Sequence, residues 1–390
     1  MLKVAVVTHY FPTSVNPWAG HSAYQTLRRL TDLCDIHVFW SDVSYPPMLA
    51  PKGDNPIDPN WAPPGAVKVT YLPYLALPVV TRPLNGMTIE RLLLPHVRAF
   101  QPDIVLNYMI YPQGYAAVKI ARALGVPSVL TAIGSDLNRI SDPLCGMATK
   151  WALHNADFVA TVSGDLRRTA LRLGADPNRS AAILNGCDTT VFYPRDRKQA
   201  REELKLGPED EIVLYVGRLD LRKGLVELVE AISTLRSSHP KLQCYIMGDG
   251  ADRGAILKAI EKFDIPEAVN LIPSELTDRV AVWMAAADLV TLPSYNEGCP
   301  NVVIEALSSG RPVVATHVGG IPELMSPRCG RLVPVRNVHA LTGALDEVLS
   351  QSWDADEISR TNSRSWEDVA QDLLQLMEEV LAAHKSPTPV

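Results

Sequence analysis

The sequence predicts an α/β protein made of two doubly wound parallel-sheet domains, and three observations carry the prediction. Short, continuous apolar runs recur along the chain. Amphipathic helical patterns separate them, the alternation expected of parallel strands covered by helices on both faces. A length of 390 residues exceeds one ordinary domain, and a turn-rich stretch near residues 185–210 divides the alternation into two series.

In the first series, residues 2–7 read as a strand ending in a loop rich in Pro, Gly and Ser. A helix over 22–33 and a strand over 35–40 follow, and the proline-rich stretch 41–66 reads as a long excursion. Further strands are expected at 67–71, 104–108, 128–132 and 158–162, with helices at 115–124 and 164–173. In the second series, strands at 212–216, 242–247, 269–272, 289–292 and 312–316 alternate with helices at 225–237, 251–263, 278–286 and 301–309. The last of these strands is expected to close the series, and an amphipathic helix over about 366–384 ends the chain. The expected domains are residues 1–190 and 191–364, followed by a terminal segment, 365–390.

Hydrophobic residues make up 47% and charged residues 21% of the chain, which argues against disorder and fibres. No apolar stretch reaches the roughly 18 residues of a membrane span, and the start, MLKVAVVTHYF, lacks the apolar length of a signal peptide. A cytoplasmic location is therefore expected. The six cysteines are scattered, with no CxxC pair, which argues against a disulfide framework or structural zinc. Residues 1–190 hold 16 Lys+Arg against 13 Asp+Glu, a net +3, and the remainder carries −9. A basic first half suggests an anionic partner, but no Lys/Arg block or RNA-binding signature points to nucleic acid.

In open α/β sheets ligands gather at the carboxyl ends of the strands, and the chemistry-bearing motifs all fall in such loops. The strongest is N-E-G-C-P-N-V-V-I-E-A-L, residues 296–307. Pro300 stands where a first helical residue belongs, Gly310 ends the helix and Pro312 prevents its continuation. Amides around Gly298, Cys299, Pro300, Asn301 and Val302 would then form a helix N-terminus suited to phosphate. Glu297 and Glu305, eight positions apart, can accept hydrogen bonds from hydroxyls of a ribose or a sugar ring. Two solvated glutamates flanking an ordinary helix would leave the same pattern. The second motif, G-R-L-D-L-R-K-G-L (217–225), puts Arg218 and Lys223 at a helix start, where the dipole favours anions. A diphosphate between them would explain the placement, and a solvated basic loop is the alternative. M-G-D-G (247–250) is a tight turn that falls short of a dinucleotide fingerprint, since Arg253 replaces the third glycine. In the first half, the loop 12–21 places Gly20 and His21 at a helix start, with Ser22 available as a cap.

Together these pieces resemble family 4 of the retaining glycosyltransferases, with the GT-B fold of two Rossmann-like domains facing across a cleft. The resemblance runs through the Gly20 loop, A-R-A-L-G-V-P-S-V-L-T-A-I-G-S-D (121–136), A-T-V-S-G-D-L (160–166) and N-G-C-D-T-T-V-F-Y-P (185–194). It continues through G-R-L-D-L-R-K-G, M-G-D-G, the E-x7-E pair and S-W-E-D-V-A (365–370), in the family's order. Y-P-Q-G-Y-A-A-V (111–118) with I-G-S-D-L-N (133–138) is most similar to the branch that builds bacterial cell-surface polysaccharides.

The resemblance implies a role for each residue. Arg218 and Lys223 would bind the donor diphosphate, Glu305 the ribose and Glu297 the transferred sugar. Residues 298–302 would line sugar and phosphate, the Gly20–His21 loop would close over them, and Gly217 and Gly248 would belong to the same site. The base would lie near Ile272 and Ser274. The final helix would cross back to the N-terminal domain. No cofactor is implied, only a nucleoside-diphosphate sugar as donor, UDP- before GDP-linked. No metal is implied either, and no DxD pair stands at a strand end. The acceptor would be a glycan or a lipid-linked sugar.

One departure stands out: the family often carries His where this chain has Ile133. Either Asp136, His9 or His21 compensates, or the sugar is held differently, or activity is reduced; Asp136 is taken as the catalytic candidate. Residues 71–100 combine aliphatics with Arg82, Arg91 and Arg98, a composition suited to peripheral contact with an anionic membrane as well as to an ordinary buried helix. Two rivals share the architecture. A nucleotide-sugar 2-epimerase is disfavoured because E-x7-E and G-R-L-D-L-R-K-G belong to the transferases. A non-catalytic nucleotide-sugar-binding subunit has only Ile133 in its support.

Overall fold

In a computed structural model that describes residues 1–45, 48, 57–65, 67–77, 81–138 and 142–385, most strands are short, apolar and buried. Residues 46, 47, 49–56 and 66 of the excursion expected at 41–66 lie outside the described residues. The first sheet contains β1 (Leu2–Thr8), β2 (Cys34–Trp40), β4 (Lys68–Tyr71), β6 (Ile104–Tyr108), β7 (Ser128–Ala132), β8 (Phe158–Thr161) and β9 (Ser180–Ala182). All its pairs are parallel, in the order β4-β2-β1-β6-β7-β8-β9. A small ribbon of β3 (Val43–Ser44) and β5 (Tyr74–Leu75) stands apart from it. The second sheet, also parallel, contains β10 (Glu211–Val216), β11 (Leu242–Met247), β12 (Val269–Ile272), β13 (Leu289–Leu292), β14 (Val313–Thr316) and β15 (Gly330–Val333). Its order is β12-β11-β10-β13-β14-β15. The strand order reverses between β1 and β6 in one sheet and between β10 and β13 in the other. At such points the connecting helices leave to opposite faces and open a crevice at the carboxyl ends.

Contacts divide the chain into two units, Met1–Leu184 with Trp366–Val390, and Asn185–Ser365. The C-terminal helix Trp366–Lys385 therefore belongs to the first unit. Its Ala370, Leu373, Leu376, Met377 and Val380 join the core of the first sheet, beside Leu27 and Leu30 of the helix His21–Leu30. Trp366 is 1% exposed, and removing an indole of this size from water contributes about 3 kcal/mol. Where the chain enters and leaves the second unit, Cys187 and Ser365 pair in parallel and the Cys187 amide donates to the Arg364 carbonyl at 2.8 Å.

The structure also contains elements the periodicity does not announce. The series does not close at β14, because β15 adds an edge strand. Its sequence, G-R-L-V, is too short and too mixed to read as a buried run, and it pairs on one side only. The helix Asn85–Phe100 carries an internal Pro95. The helix Pro143–Asn155 shows no clear apolar stripe, although Asp142 caps it by accepting from the Leu144 and Cys145 amides. That Asp-Pro start is the local signal for a helix N-terminus.

At the amino end of the second sheet His239 joins two elements. Its Nδ1 lies 2.9 Å from Glu211 Oε1 on β10, and its Nε2 lies 2.7 Å from Asp346 Oδ1 on the helix Val338–Leu349. Only the imidazolium can donate from both nitrogens. Burial lowers the pKa of this group, but the two carboxylates outweigh it and the net direction is up. A raised folded-state pKa gives stability that is complete below the unfolded value of 6.5 and is lost as pH rises through the folded value. We predict that the melting temperature of wild type will fall relative to His239→Gln between about pH 6 and pH 9. A pH-independent difference between the two proteins would exclude the staple.

Candidate active site

The loop after β10 is built by its own side chains. Tyr215 is fully buried on the strand, and its hydroxyl donates to the Arg218 carbonyl at 2.9 Å. Asp220 accepts from the Arg222 amide at 2.9 Å and pairs with the Arg222 guanidinium, whose hydrogen bonds hold the Asp220 carboxyl far below the usual range. Arg222 is therefore occupied. Arg218 is exposed, and its guanidinium makes no hydrogen bond or ion pair among the described residues. Lys223 turns the other way chemically: its Nζ lies 2.6 Å from Glu297 Oε1, in a pair whose side chains are only 20% and 12% exposed.

Glu297 belongs to the loop after β13, the strand beside β10. Pro300 is not the first residue of the following helix but its N-terminal cap, with φ −76° and ψ 117°. The helix runs Asn301–Ser308, and Pro300 brings no side-chain oxygen to its first turn. Among the described residues nothing in the protein accepts from the amides of Asn301 and Val302. Asn185 clamps this turn. Its Nδ2 donates to the Cys299 carbonyl at 3.1 Å and to Asn301 Oδ1 at 2.9 Å, and its own amide meets Cys299 Sγ at 3.4 Å. Burial pushes the Cys299 thiol up to about 12, so it stays protonated and serves as packing.

Two glycines let these loops interlock. A Cβ on Gly248 (φ +146°) would stand 1.9 Å from the Gly217 carbonyl oxygen, so M-G-D-G seats the loop after β11 against the loop after β10. A Cβ on Gly319 (φ +54°) would stand 1.9 Å from the Glu297 carbonyl oxygen, and the neighbouring Gly320 amide donates to Gly298 at 2.8 Å. The loop after β14 thus buttresses Glu297 from behind. Ile272 and Ser274 are tied in as well, since the Gly248 amide donates to the Ile272 carbonyl at 3.0 Å and the Ser274 amide to Asp249 Oδ2 at 3.3 Å.

The structure therefore brings Gly217, Lys223, Gly248, Glu297, Gly298, Cys299 and Asn301 onto interlocked strand-end loops of the second unit. Asn185, Tyr215 and Gly319 are supporting residues that the motif reading did not single out. The Gly319–Gly320 pair directly after a strand end was the available signal. Gly20, His21 and Asp136 lie in the first unit. Gly20, not Ser22, is the cap position of its helix and packs on the Tyr10 backbone. The His21 ring meets Trp366 edge-on at 6.2 Å. Asp136 accepts from Ile110 at 3.1 Å with one oxygen, and from Ile133 and Gly134 at 3.2 and 2.9 Å with the other. It ties the ends of β6 and β7 together, and burial raises its pKa against the opposing effect of these amides. The Ile133 side chain packs against the core of the first sheet.

Glu305 lies one turn into the helix Asn301–Ser308. Its carboxylate makes no hydrogen bond or ion pair among the described residues, and burial alone pushes it up to about 7 from 4.5. The folded protein then binds a proton that the unfolded chain releases, so stability falls as pH rises from about 4.5 through about 7. We predict that Glu305→Gln will stabilise the protein above pH about 7, on the order of 2 kcal/mol, with little effect near pH 4.5. Denaturant unfolding at both pH values tests this, and a loss of stability at high pH would refute it.

Two family models divide the chain between them. Residues 19–191 match Glycosyltransferase Family 4, and residues 196–366 match Glycosyl transferases group 1. The Bacillus subtilis (strain 168) protein TuaC, assigned to teichuronic acid biosynthesis as a glycosyltransferase, is 34% identical over 253 residues, 64% of this chain and 61% of its own length. The D-inositol 3-phosphate glycosyltransferase of Rhodococcus opacus (strain B4) is 31% identical over 231 residues, 56% of this chain and 52% of that protein. The chain thus spans only about half to three fifths of these relatives. Among solved structures, sucrose-phosphate synthase from Thermosynechococcus elongatus is similar at TM-score 0.77 and 22% identity, covering 98% of this chain and 100% of that one. Anabaena HepE in complex with UDP is similar at TM-score 0.75 and 15% identity, covering 97% and 100%. At these identities the likeness bears on the fold. With a family match on each half and the same architecture along its length, the chain belongs to glycosyltransferase family 4, on the GT-B fold.

Proposed function

We propose that the protein is a retaining, metal-independent hexosyltransferase. It moves a sugar from a nucleoside-diphosphate sugar, UDP-linked before GDP-linked, to a glycan or lipid-linked acceptor in surface polysaccharide or glycolipid synthesis. The observation that carries the reading is the Lys223–Glu297 pair beside the uncapped start of the helix Asn301–Ser308. Cleaving a sugar–phosphate bond builds negative charge on the departing diphosphate. Lys223, Arg218 and the amides of Asn301 and Val302 are the groups available to receive it. Glu297 holds Lys223 in place and keeps its second oxygen for a hydroxyl of the transferred sugar. The HepE structures with UDP and with UDP-glucose support a donor of this class, and TuaC supports a surface polysaccharide. On this reading the protein works in the cytoplasm, with peripheral contact at the inner face of the membrane; no described helix is long and apolar enough to cross a membrane.

A Glu305 carboxyl that is only about half ionised near pH 7 has a consequence for binding. Two ribose hydroxyls donating to it favour the carboxylate and lower its pKa from about 7, so donor binding expels a proton. Calorimetric titration with UDP near pH 7, in two buffers of different ionisation heat, should show release of up to about half a proton. Glu305→Gln should abolish that release, and a wild type that binds UDP without releasing protons would remove Glu305 from the ribose. Lys223→Ala should lower turnover about 100-fold or more while the protein stays folded. Near-normal turnover in that variant would withdraw the assignment.

A further inference from the structure

The helices Asn85–Phe100 and Pro143–Asn155 precede β6 and β8 in a parallel sheet, so both run against the strands and begin at the carboxyl ends. Their starts are unusually apolar and exposed. Leu84, at the cap of the first, is 52% exposed, and Leu144 and Met147, in the first turns of the second, are 57% and 67% exposed. Leu75 on the neighbouring ribbon is 72% exposed. The turn Arg82–Leu84 is held between these elements, because the Tyr111 hydroxyl donates to the Arg82 carbonyl at 2.6 Å. Leu84 therefore projects from a fixed turn. Arg82, Arg91 and Lys150 are exposed around this face. Of the acids on the same elements, Glu90 is partly buried. Asp142, held ionised by the amides of Leu144 and Cys145, lies near Arg82 and offsets part of its charge, so Arg91 and Lys150 supply the surplus. Arg98, at the other end of its helix, is about 20 Å from Leu84 and lies outside this face.

We propose that this face docks on an anionic lipid bilayer. Leu75, Leu84, Leu144 and Met147 enter the boundary between headgroups and acyl chains, while Arg82, Arg91 and Lys150 meet lipid phosphates. Aliphatic side chains exposed together on fixed backbone mark an interaction surface, and the surrounding cations select a negatively charged one. The face sits at the end of the sheet where an α/β domain takes its ligand. A lipid-linked acceptor would therefore be presented to the protein from the surface on which it rests. That link rests on the transferase reading, but the experiment below does not.

Cosedimentation of the full chain with vesicles of phosphatidylcholine, alone or with about 30% phosphatidylglycerol, tests the proposal without any transfer reaction. Wild type should bind the anionic vesicles at least about tenfold more than the neutral ones, and rising salt should weaken that binding. Leu144→Ser with Met147→Ser, and separately Arg91→Ser with Lys150→Ser, should each lower the binding about tenfold. Circular dichroism should show unchanged folding, since all four side chains are exposed. Equal binding of wild type to both vesicles, or no binding, would overturn the proposal. Variants that bind like wild type would overturn this surface even if the protein sediments with lipid.

Discussion

A largely buried lysine and a largely buried glutamate need each other. Either charge alone at that depth would carry a desolvation cost with nothing to offset it, so Lys223 and Glu297 at 2.6 Å hold together the loops that carry them. Those loops follow β10 and β13, adjacent strands on either side of the reversal in strand order. The surrounding chemistry exists to make this approach possible. Gly248 lets the loop after β11 close on Gly217, Gly319 lets the loop after β14 close on Glu297, and Asn185 fixes the turn at Cys299 and Asn301. Arg222, next to Lys223 in the chain, is occupied by Asp220.

The strands were legible wherever burial on both faces leaves a continuous apolar run. β6, β7, β11 and β13 begin and end where the sequence places them, and so does the less buried edge strand β12. β15 escapes because Gly330 and Arg331 leave it too short an apolar run to mark a strand. The helix Asn85–Phe100 falls within the stretch 71–100, one of whose two readings is a buried helix. The helix Pro143–Asn155 escapes because its stability comes from packing at its sides rather than from a clean stripe. In the site, the motifs marked the loops but not the contacts between them. Lys223 and Glu297 lie 74 residues apart, and no local pattern says that one will neutralise the other. Asn185 was part of a recognisable string, yet its work depends on a turn 114 residues away.

Both sheets concentrate buried polarity at their ends, but with opposite outcomes. At the amino end of the second sheet, Arg201 is 5% exposed and fully engaged with Asp288 and two carbonyls, a closed network that rigidifies. Towards the carboxyl end of the first sheet, Asn107, Gln113 and Thr131 each bury an oxygen that has no partner among the described residues. Buried polar atoms of that kind call for ordered water or ligand.

The return of the C-terminal helix to the first unit sets an order of events during synthesis. The second unit, residues 185–365, is one uninterrupted stretch and can finish folding as soon as it clears the ribosome. The first unit cannot, because Ala370, Leu373, Met377 and Val380 complete its core and are made only after the second unit. The N-terminal half of the nascent chain must therefore wait with an apolar face uncovered while some 180 residues are added, a delay that favours aggregation or chaperone capture. Loss of residues 366–385 would strike the unit that is translated before the second one, not the unit they directly follow.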